Sequence, residues 1–453
     1  MLKATQTLRL LACTALLSGG FAASAMAQAQ HEGEAQIDTL TEAVSIGVET
    51  NPSSGVVENN RRATAEELEQ ARALYYPSID AQGDAGYEST DNINTRGGGD
   101  DWRTLDRYQV GVTLTQMLFD GFETYYENER QTQRVRSAAH RVRENSEFTG
   151  LDIVEAYLDV VRQRELLKIA RDNVAQHVDI MGQIEDGANA GRSTDADVEQ
   201  VRARLAAARA NEANVTESLR TAEAAFNAQV GDMPGNLKVP VAPIDRLEEN
   251  VDEEVKQTLT HSPTLDIYEA DVNVAEAEYK GTRSTYYPQF DLQLQGQQGN
   301  DLGGVEGNER SASALVLMNW NLFRGGGDKA RERELVYRHA QSKEQRNDAA
   351  RSVENDVRQT WASMVSAKER AKQFTNQASA NEQVVLAYKD QFDLDRRTLL
   401  DVLDAQNELF VSRSNAINNQ ILEMFAVYRL LALKGELLPA LDVAYQAEVD
   451  PQD

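Results

Sequence analysis

Few side chains in this sequence are of a type and spacing that could do chemistry. The five histidines are scattered without the spacing of metal ligands: His31, His140, His177, His261 and His339. We find no Ser/His/Asp signature, no glycine loop that could hold a phosphate and no paired-carboxylate site with a plausible pocket. Histidines scattered in this way are typical of isolated surface side chains. The scattered histidines and the missing motifs together predict a protein that is not an enzyme and that needs no metal or cofactor.

The amino terminus has the pattern of a secretory signal peptide over residues 1–27. Lys3 and Arg9 precede an apolar stretch, and residues 25–27 (Ala-Met-Ala) are small enough for a cleavage site. We therefore expect an exported protein. A lipid anchor at Cys13 is the alternative, although the apolar region before that cysteine is only a few residues long. Without lipidation, the mature chain has no cysteine and forms no disulfide.

The overall charge narrows the choice of partners. A formal net charge of −27 argues against nucleic acid and favours cations or basic surfaces.

No segment after the signal offers about 18 uninterrupted apolar residues, so we expect no transmembrane helix.

The elements that must position any functional side chain occur twice. Leu-Phe-Asp-Gly at 118–121 returns as Leu-Phe-Arg-Gly at 322–325, an offset of 204. Upstream, Tyr-Tyr-Pro at 75–77 returns at 286–288, an offset of 211, so the first copy carries an insertion, which includes the loop-like run 97–101. A repeat of this length is too long for a solenoid unit and predicts two duplicated structural halves.

Each half is predicted to be mainly α with some β. Proline-free runs with apolar residues at spacings of three and four indicate helices on the order of 100 Å long. The predicted first repeat (28–246) has strands at about 78–90 and 107–118, a helical hairpin at about 121–230 and a linker at 231–246. The predicted second repeat (247–438) has strands at about 289–298 and 311–322 and a hairpin at about 326–434, followed by a tail at 439–453.

Four short segments argue against a soluble coiled-coil spacer, which such helix pairs could otherwise form. After each Tyr-Tyr-Pro the residues alternate, with Ile79 and Ala81, and later Leu292 and Leu294, on an apolar face. The segment 312–320 fits less cleanly, because it is apolar on both faces. Exported strands of this pattern predict a transmembrane β-barrel. Four strands cannot close one, so about 12 strands from three chains are expected.

This order of elements resembles the TolC-type outer-membrane channel family over roughly residues 37–438. The resemblance implies a homotrimer with a shared 12-stranded barrel, four strands per chain, continued by a long periplasmic helical barrel. The segments 190–198 and 396–409 resemble most closely the branch that serves type I secretion. The resemblance also implies an outer-membrane location and a mixed belt formed partly by residues 231–249.

The resemblance places the periplasmic constriction at Asp401 and Asp404. The two residues are three positions apart and hence on one helix face. In a trimer these carboxylates would form a ring that attracts cations, and mutual repulsion would raise some of their pKa values. The alternative is that both are ordinary solvated acids near a helix N-terminus, where the helix dipole favours them.

The resemblance further implies a latch that holds the channel closed between neighbouring chains. The matching positions are Asp197, Arg397 and Phe392, and Phe392 lacks the hydroxyl of the tyrosine usual there. The tips that would contact an adaptor are Gly191 and Arg192 in the first half, and Asp395 and Arg396 in the second: Asp395 stands where the family has a glycine.

These features predict the exit duct of a type I secretion system. Its partners would be a periplasmic membrane-fusion adaptor, an inner-membrane ABC transporter and outer-membrane lipid, with no nucleic acid. The first alternative is the outer-membrane channel of a multidrug or metal efflux pump driven by a proton-coupled transporter. The second is a periplasmic coiled-coil scaffold with no channel.

Overall fold

A computed structural model describes residues 37–97, 99, 102–394 and 396–449 of the chain. The predicted signal peptide (1–27), with Cys13, and the tip residue Asp395 lie outside these ranges. The helices are α1 (Leu40–Thr50), α2 (Pro52–Ala73), α3 (Ile93–Gly97), α4 (Glu123–Asn189), α5 (Asp195–Val230), α6 (Val251–His261), α7 (Pro263–Gly281), α8 (Gly327–Asp393), α9 (Leu399–Lys434) and α10 (Leu437–Ala440). The strands are β1 (Ser78–Thr90), β2 (Arg103–Phe119), β3 (Gln289–Asn300) and β4 (Asn308–Asn319).

Two hairpins of long antiparallel helices make up most of the described chain. α4 and α8 each have 67 residues, and α5 and α9 each have 36. A helix of 67 residues rises about 100 Å. The bounds of the paired helices differ by the offset of 204 found in the sequence, so the internal repeat is also a structural one. Among the described residues, no helix combines the length and the apolar character needed to cross a membrane.

The ends of α5 and α9, the shorter helix of each hairpin, explain why both copies fold alike. Thr194 is the N-cap of α5 and Thr398 is the N-cap of α9, and in each case an aspartate three residues later completes a capping box. Both helices end at a glycine in the left-handed region, Gly231 (φ 95°) and Gly435 (φ 77°). A side chain at either glycine would strain the backbone, so the same short signals stop both helices at equivalent places.

The main core lies where the shorter helices meet the hairpins. α1, α4, α5, α9 and α10 all contribute to it, and its largest fully buried side chains include Ile153, Tyr157, Phe226 and Tyr428. The Tyr157 hydroxyl lies 2.7 Å from the Lys238 carbonyl oxygen and so ties the segment between the halves to α4. Burial of these side chains anchors both hairpins at this end.

The four strands form one antiparallel sheet in the order β1-β2-β3-β4, and its register separates an apolar from a polar face. Residues directly opposite each other share a face. One row of opposite residues is Ile79, Leu114, Leu294 and Ala314. The adjacent row, on the other face, is Asp80, Thr113, Gln295 and Ser313. The apolar pattern seen along single strands is therefore continuous across the sheet.

The register also accounts for β4, whose sequence is apolar on both faces at one end. Val316 lies opposite Leu292 and belongs to the apolar face, whereas Leu315 lies opposite Gln293 on the polar face. A bulge near the end of β2 brings Phe119 opposite Phe290 on the apolar face. Within the described chain β1 and β4 each have one strand neighbour, so the outer edge of each strand is open.

Two strands differ from the sequence prediction by three residues or more at one end at least. β2 begins at Arg103 instead of about 107, because its first residues pair with the end of β1. β4 covers Asn308–Asn319 instead of about 311–322, because it pairs with β3 along its whole length. The insertion in the first copy contains α3, where the second copy has only a short 3-10 turn at Leu302–Gly304.

A buried glutamate on α4 holds the carboxy-terminal segment. Glu147 is fully buried, and its carboxylate accepts hydrogen bonds from the amides of Leu437 (2.9 Å) and Leu438 (3.4 Å) and from the Tyr445 hydroxyl. Burial raises the pKa of Glu147 to about 7, against the hydrogen bonds from Tyr445 and the two amides, which lower it. The folded chain therefore keeps a proton on Glu147 that the unfolded chain loses at a lower pH.

We expect this group to make the stability of the protein depend on pH. An acid whose pKa is raised on folding contributes its stability below the unfolded pKa and loses it as the pH rises through the folded pKa. The free energy of unfolding should fall by about 3 kcal/mol between about pH 4.5 and pH 7 through this group alone. Urea unfolding at several pH values measures this dependence. In Glu147→Gln, which stays neutral at this position, the free energy of unfolding should no longer fall by this amount between these pH values. Glu155→Gln, on the exposed face of the same helix, should keep the fall. Equal slopes for the two variants would contradict this assignment.

Candidate functional site at the hairpin tips

The first tip turns tightly on two glycines. The Arg192 amide donates to the Gly187 carbonyl (2.8 Å), and Gly191 adopts a positive φ of 71°. A Cβ on Gly187 would lie 2.6 Å from the Ser193 hydroxyl oxygen, so a larger residue there would displace that hydroxyl. A Cβ on Gly191 would meet no atom within 4 Å, which leaves the Gly191 backbone open to an approaching chain.

The second tip has the same kind of turn without the glycines. The Arg396 amide donates to the Gln391 carbonyl (2.8 Å), at the end of α8. Both Arg192 and Arg396 are exposed. The predicted tip arginines are thus present at the surface of both turns.

A small apolar cluster joins the two tips within one chain, and we call it the tip cluster. Its buried members are Ile180, Ile184, Val201, Leu399, Val402 and Leu403, from α4, α5 and α9. Phe392 and Tyr388, both on α8, pack against it. Phe392, which the sequence analysis assigned to the latch, therefore has a packing role that an aromatic ring without a hydroxyl can fill.

Asp401 and Asp197 occupy equivalent places in the two hairpins. The Asp401 carboxylate accepts hydrogen bonds from the Thr398 hydroxyl (2.8 Å) and amide (3.2 Å), and Asp197 does the same with Thr194 (2.8 and 2.9 Å). Hydrogen bonds from the Thr398 hydroxyl and then the amide lower the pKa of Asp401. The Thr194 amide and then its hydroxyl lower the pKa of Asp197. Within one chain both carboxylates are thus stabilised in their charged form.

Asp404 has a partner that the sequence analysis missed. Its carboxylate oxygen Oδ1 lies 3.1 Å from a guanidinium nitrogen of Arg204, which is on α5 in the other hairpin. The two residues are 200 positions apart, so no local spacing could have revealed the pair. The duplicated pattern gave no signal either, since the contact joins one half to the other.

Arg397 does not contact Asp197 within the chain. Its guanidinium stacks 4.2 Å from the centre of the Tyr388 ring, and its Nε donates to the Gln391 side-chain oxygen (3.0 Å). Nη1 of Arg397 also lies 3.9 Å from Asp401. The latch was predicted between neighbouring chains, so it stays a prediction. Tyr388 is a further residue that sequence reasoning missed, and only the fold of the tip brings it under Arg397.

This site offers acidic and basic groups that face solvent. In the part of the chain that the structure describes, no three His, Cys, Asp or Glu side chains are grouped so as to hold a metal ion. The half-buried carboxylate of Asp401 and the exposed one of Asp404 can attract cations, and the neighbouring Arg397 and Arg204 can moderate that attraction.

Comparison with known proteins identifies the family. The sequence model of the outer membrane efflux protein family matches residues 48–232 and 255–435. The chain is 24% identical over 338 residues to the outer membrane efflux protein BepC of Brucella suis, covering 74% of each chain. It is 22% identical over 409 residues to the outer membrane protein TolC of Vibrio cholerae, covering 88% of this chain and 91% of TolC.

A solved structure shows the same fold. The crystal structure of the outer membrane protein VceC from Vibrio cholerae superposes with a TM-score of 0.72 at 16% identity, covering 90% of this chain and 97% of VceC. These findings confirm the resemblance to TolC-type channels and, with it, the outer-membrane location. The chain belongs to the outer membrane efflux protein family, whose members are outer-membrane channels with a periplasmic helical barrel.

Proposed function

We propose that the chain forms a homotrimer that serves as the outer-membrane exit duct of a tripartite export assembly. The observation that carries the proposal is the four-stranded sheet, which has one apolar face, one polar face and an open edge on each side. Open edges in lipid leave backbone groups unpaired, and each such group costs several kcal/mol in hydrocarbon. Pairing of β4 with β1 of the next copy removes both edges and makes a barrel of about 12 strands.

The polar face of the sheet then lines the lumen, and the two hairpins continue the duct into the periplasm. Asp401 and Asp404 stand at its periplasmic constriction, with Arg397 and Asp197 as the latch between chains. The tips, with Gly191, Arg192 and Arg396, meet a periplasmic adaptor. Transport through such a duct is passive, and the inner-membrane transporter supplies the energy.

The transported substrate distinguishes two forms of the proposal. The resemblance of segments 190–198 and 396–409 to the secretion branch favours type I secretion of protein, served by an inner-membrane ABC transporter. The name of the Brucella relative, an outer membrane efflux protein, favours an efflux pump. Both use the same duct, so the inner-membrane partner decides between them.

A test begins with assembly and conductance and then identifies the partner. The purified protein should run as a heat-resistant trimer in detergent and conduct ions in planar bilayers, and a monomer without conductance would contradict the proposal. A photo-crosslinking residue at Arg192 or Arg396 should capture an adaptor and, through it, the inner-membrane protein in living cells. The same residue at Val241, 92% exposed but far along the chain from both tips, is the control. An ABC transporter in the captured complex would support secretion, and a proton-driven transporter would support efflux.

A further inference from the structure

We propose that Arg204 is a selectivity-determining residue of this channel, because its guanidinium compensates the Asp404 carboxylate of the same chain. The constriction would then attract cations less strongly than two bare carboxylates per chain. This inference rests on the proposed function, since it takes Asp401 and Asp404 to line the constriction.

The Arg204 and Asp404 side chains contact each other directly, and both are exposed to solvent, where ions can approach them. A guanidinium nitrogen of Arg204 lies 3.1 Å from Oδ1 of Asp404, and the two side chains are 42% and 57% exposed. Because the two charges are so close, an ion that passes more than a few ångströms away feels little net field from the carboxylate. Because both groups face solvent, the pair acts on permeating ions and contributes little to folding stability.

Packing holds the two residues in register. Val201, one turn before Arg204 on α5, and Leu403, next to Asp404 on α9, are both fully buried in the tip cluster. The axial position of one helix against the other is therefore fixed by apolar contacts. The ion pair follows from that position, so removal of the arginine charge should leave the helices in place.

The pair occurs once in each chain because the two halves differ at these positions. The residue equivalent to Asp404 in the first half is Gln200, and the one equivalent to Arg204 in the second half is Glu408. The nearby Arg202 instead pairs with Glu199 on its own helix. Arg204 is thus the arginine of α5 that reaches the predicted constriction, and Arg202 is a matched control.

The test is the reversal potential of trimers in a salt gradient. In dilute salt, where screening is weak, Arg204→Gln should raise the ratio of cation to anion permeability by about twofold to fivefold. It should also lower the concentration of a trivalent cation that half-blocks the channel. Arg204→Lys should stay close to the wild type, since it keeps the charge, and Arg202→Gln should change neither quantity.

Paired substitutions separate charge compensation from a structural effect. Arg204→Gln combined with Asp404→Asn should return selectivity towards the wild type, because both charges of the pair are gone. If Arg204→Gln does not assemble, the exchange of Arg204→Asp with Asp404→Arg should restore both trimers and selectivity. Conducting trimers in which Arg204→Gln leaves selectivity unchanged, or shifts it no more than Arg202→Gln does, would overturn this inference alone. A wild-type protein that does not conduct would overturn the proposed function as well.

Discussion

Leu294→Arg should destabilise the membrane-inserted protein by about 2–4 kcal/mol per chain, the cost of an arginine facing lipid near the middle of the bilayer. Leu294 lies in the middle of β3, in the apolar row between Leu114 and Ala314. The loss should be measured by urea unfolding from lipid vesicles and by the fraction of heat-resistant trimer on gels.

The matched control for this substitution is its neighbour on the opposite face. Gln295 lies between Thr113 and Ser313, and Gln295→Arg should be tolerated because its side chain would point into a water-filled lumen. Equal loss of trimer in both variants would show that the two faces of the sheet do not meet lipid and water as proposed.

Asp401→Asn combined with Asp404→Asn should strongly reduce the preference of the channel for cations. The double variant removes two charges per chain from the proposed constriction and leaves Arg204 without its partner, so selectivity should move towards anions. Asparagine keeps an acceptor oxygen at position 401, so the capping box with Thr398 should survive. Single-channel recording in a salt gradient, with and without a trivalent blocker, measures the change.

A control for the constriction removes the same charge elsewhere at the tips. Asp195 and Asp393 are exposed, and neither is assigned to the constriction. Asp195→Asn with Asp393→Asn should therefore leave selectivity nearly unchanged. Unchanged selectivity in the Asp401 and Asp404 double variant would mean that the narrowest point lies elsewhere along the duct.

The architecture was predictable because its signals are local and repeated. Spacings of three and four gave the long helices, strict alternation gave three of the four strands, and Thr398 with Asp401 marks a helix start within four residues. The fourth strand needed the register of the whole sheet, since its own residues did not distinguish one face from the other. For the same reason the sequence placed the start of β2 four residues too late.

The contacts of the candidate site were less predictable because they join distant parts of the chain. Nothing near Arg204 in sequence points to Asp404, and nothing near Tyr388 predicts that Arg397 stacks on it after the turn. Glu147 looks like one more acid on a helix that is rich in charge. Only the packing of the carboxy-terminal segment over it shows that it is buried.

The equal lengths of the two hairpins restrict how this chain can change during evolution. Each hairpin is fixed at one end by the main core and at the other by the tip cluster, where side chains of α4 and α5 meet those of α9. A deletion in one hairpin alone would pull its tip out of that cluster, so a viable change of length has to arise in both copies together. The loops between strands carry no such constraint, and the slip from an offset of 211 to one of 204 lies in that region. Length variation among descendants of this gene should therefore concentrate in the strand loops, while the helices keep a common length.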